Sequence, residues 1–182
     1  MKNSLCCTLI ALVLVTVSCD NKTDSKKASA LSGIENYFNT EIKTLEQSDL
    51  TLIKTITHQG KTETITIENP DWAKELVPFT ETISNQPAQI QSFQRDSSIN
   101  GDSKTLVLKA RDSSAAINSL TEYTTGGIHD SIVIIKKVAN LYYVSSDTLT
   151  YYGKGNYLIK AENLPGLGKK IGFILEGKTT AK

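Results

Sequence analysis

Cysteine is nearly absent from this chain. Its three copies, Cys6, Cys7 and Cys19, all fall in the first nineteen residues. Once a leader is removed before Cys19, no internal disulfide can form, and no later thiol is left as nucleophile or zinc ligand. Histidine is almost as scarce. His58 and His129 have no second histidine or cysteine three to five residues away, so zinc-ligand spacing is missing. Both read as surface turn residues, His58 at a hairpin tip and His129 beside Gly126-Gly127. Charge of one sign is lacking too. The chain carries a formal +1, and without Lys2 it has 19 basic and 19 acidic residues. That balance gives no footprint for nucleic acid and none for cation storage.

Motifs of chemistry are also missing. There is no Gly-x-Ser-x-Gly elbow. Gly166 to Gly172 has loop glycines, but it lacks the phosphate-loop spacing and leads into an alternating strand, so it reads as a turn. Asp71 with Glu75 is explained by a helix terminus, and Asp96 with Asp102 by turns. Asp96, Asn100 and Asp102 loosely resemble a calcium loop whose glycine and distal glutamate are out of place. No catalytic residue, metal ligand or cofactor is assigned, and a non-enzyme is expected. A hydrolase stays as an alternative, because Ser-His-acid sets assemble in space and not in sequence.

What is present begins with a leader. Lys2 precedes an uncharged, mostly apolar run from Leu5 to Val17, shorter than the roughly 20 residues a membrane span needs. Val15-Thr16-Val17-Ser18-Cys19 then resembles a lipobox, with small Ser18 before the cysteine and Val15 where leucine is preferred. That resemblance implies a signal peptide over 1–18 and a diacylglyceryl group on the Cys19 sulfur. Each buried methylene contributes about 0.8 kcal/mol, so two or three acyl chains anchor the protein permanently to a bilayer. Residues 20–30 are small, polar and charged, and read as a flexible tether. Lys26-Lys27 could touch anionic lipid, though a solvated linker is the simpler account.

Removing eighteen residues from 182 leaves 164, enough for one domain with a substantial core. That domain is placed at 31–178, with a disordered tail over 179–182. Leu31, Ile34, Phe38, Ile42 and Leu45 give a helix over 31–47. Leu50 to Thr57 and Thr62 to Glu68 form a hairpin around Gln59-Gly60-Lys61. Asn69 as cap, Pro70 at the first position and Asp71 start a second helix, with a kink or early end at Pro78 and a stop at Asn85-Gln86-Pro87. Seven strands follow, over 89–95, 104–111, 116–124, 131–138, 142–151, 157–162 and 170–176. The expected class is α+β: two N-terminal helices on a curved, half-barrel-like antiparallel sheet of about seven to nine strands.

Several stretches carry a family resemblance. They are Lys54-Thr55 with Gly60-Lys61-Thr62-Glu63, Asp71-Trp72 with Glu75-Leu76 and Phe79, and Leu141-Tyr142-Tyr143, Thr148 to Tyr152 and Gly155 to Lys160. Together they resemble uncharacterised lipoproteins of the Bacteroidota. The resemblance implies origin and architecture, and no activity. It also implies an envelope location, outer membrane ahead of inner, with Asp20 and Asp24 as a weak surface-display signal. Tyr142, Tyr143, Tyr151, Tyr152 and Tyr157 could line a groove for a lipid or peptide. Alternatively they are simply good strand residues packing across a hairpin. The function expected is a membrane-anchored binding or scaffold module. A half-barrel carrier of a hydrophobic ligand is the alternative, and another envelope protein is a possible partner.

Overall fold

A computed structural model describes residues 22–84, 93–112 and 115–182, with the side chains of 22–30 left aside. The fold is mostly β. Among the described residues three helical segments, α1 (Lys22–Glu46), α2 (Trp72–Glu75) and α3 (Val77–Ser84), accompany nine strands. These are β1 (Leu50–His58), β2 (Lys61–Ile67), β3 (Phe93–Asn100), β4 (Ser103–Ala110), β5 (Ile117–Thr125), β6 (Ile128–Ala139), β7 (Tyr143–Gly153), β8 (Asn156–Pro165) and β9 (Ile171–Ala181). They form one open antiparallel sheet in the order β2-β1-β9-β8-β7-β6-β5-β4-β3. From β3 to β9 the chain is a plain meander. The N-terminal hairpin joins it only because β9 inserts between β1 and β8.

Tight turns set the register. Gln59-Gly60, Gly126-Gly127 and Lys154-Gly155 each hold two successive positive φ angles. That is the geometry of two-residue hairpin turns whose twist matches the flanking strands. The register then lines side chains into rows across one face. Lys54, Gly177, Tyr157, Tyr151, Ile132, Glu122 and Leu106 stand side by side from β1 to β4. The next row runs Ile56, Leu175, Ile159, Leu149, Ile134, Leu120 and Leu108.

The helices pack on this face. Leu31, Ile34, Phe38 and Leu45 recur at helical spacing on α1, and all are buried in one cluster with the sheet. Phe38, Phe79 and Tyr151 meet with ring centroids 5.2–5.6 Å apart, joining α1, α3 and β7. Burying each such side chain contributes about 1.5–3 kcal/mol. Helices α1 and α2–α3 run in opposite directions. The Ser84 hydroxyl donates to Glu35 at one end (3.1 Å), while Leu45 and Trp72 share a wall at the other.

Several boundaries differ from the sequence reading. Helix α1 starts at Lys22, so nine residues assigned to the tether are helical; Lys22 to Ala30 contains no Gly or Pro to stop it. The second helix is two segments rather than one. Asp71 is the cap, its Oδ1 accepting from Lys74 N (3.1 Å), and Pro70 lies before it. Pro78 has no N–H to donate back to Lys74, so the first segment ends at Glu75 with Leu76 as its C-cap, and the chain restarts at Val77. In α3 Pro78 is the second residue, where a missing donor costs little. The stop expected at Asn85 to Pro87, and Gln89 to Ser92 of the next strand, lie outside the described residues. β3 runs on to Asn100. The tail is not disordered through Ala181. β9 continues to that residue, Thr179 N donates to Asn156 Oδ1 (3.0 Å), and Lys182 Nζ sits 2.9 Å from Asp49.

Gly155 is a tight point of this packing that also needs a positive φ. A Cβ there would lie 2.6 Å from the Trp72 ring and 2.8 Å from Thr179 Cγ2, and φ is +77°. Gly101 also has positive φ but open space around it. Gly155→Ala is therefore expected to cost about 2–4 kcal/mol, against about 1 for Gly101→Ala. Thermal denaturation of the two full-length variants checks this. Equal losses would show that Trp72 simply moves aside.

Candidate functional site

Two regions of the helix-bearing face hold polar groups. The first lies beneath α1 and α2. Glu41 Oε1 accepts from the Tyr151 hydroxyl and from Lys154 N, both at 2.7 Å, and Tyr151 Oη in turn accepts from Gly155 N at 2.9 Å. Glu75 Oε2 accepts from the Tyr157 hydroxyl at 3.0 Å and pairs with Lys54 Nζ at 2.8 Å. Tyr37 lies over His129, with ring centroids 4.1 Å apart. His129 Nδ1 is 2.9 Å from Glu122 Oε1, but the two are poorly aligned and Nδ1 has no well-formed hydrogen bond.

Burial pushes the phenols of Tyr37, Tyr151 and Tyr157 well above the ordinary tyrosine range, and the charge or hydrogen bond of Glu41 or Glu75 adds to it. All three stay neutral at physiological pH, and Tyr151 and Tyr157 are donors. Such pairs clip helices to strands; they are packed within the core and do not converge on a cleft.

The second region is open. Strands β6 to β9 run on past the helices. There the third row of the face runs Phe173, Ala161, Asp147 and Lys136, side by side across four strands, with Phe173 exposed and the other three half-buried. Two adjoining cavities of about 390 and 280 Å³ share Asp147, Ala161 and Phe173. Toward the helices the walls are Pro78, Leu149, Ile159 and Leu175, with Glu81 at the rim. Toward the sheet end they are Ser145, Asn163 and Ile171. The result is a trough with an apolar wall toward the helices, bordered by three acidic side chains, Glu81, Asp147 and Glu162, and one basic one, Lys136.

The five tyrosines singled out from sequence do not share this place. Tyr151 and Tyr157 face each other across β7 and β8 and are fully buried in the core. Tyr152 points to the opposite face and is half exposed. Tyr143 and Tyr142 lie at the far end of β7, at its first residue and in the turn before it. Strand alternation and the covering helices divide them, so they do not form one groove. Cys19 lies outside the described residues.

His58 is exposed at its hairpin end, with Nδ1 3.0 Å from Gly172 O. His129 is not a surface turn residue; the Tyr37 ring and Glu122 enclose it. Asp96 is mid-strand, opposite Val107, away from the turn that holds Asn100 and Asp102. Among the described residues no three metal-ligating side chains cluster. Sequence reasoning missed the trough. Its one visible signal was the alternation of Ile171, Phe173 and Leu175, which marks a face without saying how far helices cover it.

No protein-family model matches the chain, and no curated protein matches it significantly.

The phenols make stability fall at high pH. A pKa raised on folding contributes stability that is complete below the unfolded value near 10 and is lost as pH rises beyond it. Tyr151 and Tyr157 each remove up to about 1.4 kcal/mol per pH unit in that range. Urea unfolding at stepped alkaline pH should give this slope. Tyr151→Phe with Tyr157→Phe should reduce it and leave the share of Tyr37, and an unchanged slope would rule these two phenols out as its source.

Proposed function

We propose that this is an acylated envelope lipoprotein of the Bacteroidota type, with a half-barrel domain that binds a hydrophobic or amphipathic ligand and performs no catalysis. The observation that carries the binding reading is the trough over Ala161 and Phe173. Its helix-side wall is apolar, charged groups border it, and its volume is usual for small-molecule sites. A folded domain leaves such a surface wet at a cost, so an occupant is the economical explanation. Asp147 and Lys136 give the ligand a polar end to meet, while Leu149, Ile159 and Leu175 suit an acyl chain or an apolar ring.

The anchoring half of the proposal rests on the leader, Ser18 and Cys19. Among the described residues no helix is long and apolar enough to cross a membrane. Attachment through one acylated sulfur accounts for how a domain of this kind would be held at a bilayer.

A fluorescent fatty acid tests the binding reading. Full-length protein should bind it saturably. Ala161→Trp fills the trough floor and should weaken binding about tenfold or more while the circular dichroism stays unchanged. No saturable binding by the parent, or equal binding by the variant, would remove the trough from consideration.

A further inference from the structure

We propose that the sheet end formed by the turns after β6 and β8 seats on an anionic bilayer. Among the described residues sixteen large hydrophobic side chains are exposed, and nine of them fall within 138–143 and 164–174. The extremes are at the turn tips: Leu141 is 92 % exposed, Leu167 97 % and Tyr142 78 %. Loose chain does not explain this. Gly166 N donates to Tyr142 O at 2.6 Å, and Asn140 Oδ1 accepts from Tyr142 N and Tyr143 N. The two turns are tied together and hold apolar groups outward.

Charge selects the partner. Over 136–147 and 160–172 stand Lys136, Lys137, Lys160, Lys169 and Lys170 against Asp147 and Glu162, a net +3, although the whole chain carries +1. Leucine and tyrosine at the apex with lysines behind is the order of groups met on entering a bilayer with anionic headgroups. A second copy docked at this end would set lysines against lysines. The helix direction fits as well. α1 runs from the Ser84 side toward the turn at Lys154, which lies at the opposite end of β7 from Tyr142. Its N-terminus, three residues after Cys19, therefore points toward the exposed end. With the acylation reading above, on which only this last point rests, anchor and tip face one membrane and the trough opens toward it.

Tyr142→Trp reports the contact, because the native Trp72 is buried at 2 % exposure. Full-length protein is reconstituted into vesicles of phosphatidylglycerol and brominated phosphatidylcholine. The variant should lose about half its added emission to the bromine, and the parent almost none. Lys169→Glu with Lys170→Glu in the same background should restore it. Quenching that ignores the lysine changes, no quenching, or a blue shift that needs concentrated protein without lipid would each overturn the proposal. Intact mass of the same sample separates the two readings. An acylated but unquenched chain sinks the tip alone. An unacylated chain sinks the anchor, while quenching by added vesicles still decides the tip.

Discussion

Two tyrosine–carboxylate bonds fix where the helices stand on the sheet, and the remaining features follow from that position. Tyr151 with Glu41 holds α1 over β7, and Tyr157 with Glu75 holds α2 over β8. Both lie at the end of the sheet near the turn at Lys154-Gly155. Gly155 lets Trp72 press onto that turn, so the helix pair cannot slide along the strands without leaving a void or a clash. The strands are longer than the helical cover. What is clipped down at one end is left bare at the other, and the bare part is the trough and the apolar tip beyond it.

The order of the sheet adds a second constraint. Among the described residues β9 is the last strand in sequence and lies in the sheet between the hairpin β1–β2 and the meander β3–β8. Leu52 of the hairpin is fully buried with Thr179 paired beside it. A chain whose final strand closes its sheet folds through contacts of long sequence separation, which is intrinsically slow. It also explains why the strand runs on to Ala181: Thr180 and Ala181 pair with Thr51 and Leu50, and Asn156 and Lys154 hold Thr179.

Much of this architecture was legible in the sequence, for local reasons. Strand periodicity and turn glycines marked the nine strands, and the α1 stripe Leu31, Ile34, Phe38, Leu45 named its own buried face. What was not legible depended on tertiary context. Periodicity could not say that Pro78 would divide a helix at Leu76 rather than bend it, since that choice rests on how Trp72 and Phe79 pack. Five tyrosines near one another in sequence looked like one surface, yet alternation sends Tyr152 away from Tyr151, and the helices cover Tyr151 and Tyr157 only. His129 looked like a turn residue because its neighbours are glycines; its stacking partner Tyr37 is distant in sequence. The trough could not be seen, because an uncovered face and a covered one carry the same alternation.

The helices cover one end of the sheet face and leave the other end open. Hydroxyl-radical footprinting of the full-length protein measures this directly. Phe173, 38 % exposed, and Tyr143 should oxidise quickly, and Phe38 and Phe79, on the same side of the sheet, should be protected. Protection of Phe173 equal to that of Phe38 in ligand-free protein would mean that the face is fully covered, and the account built on its open end would be wrong.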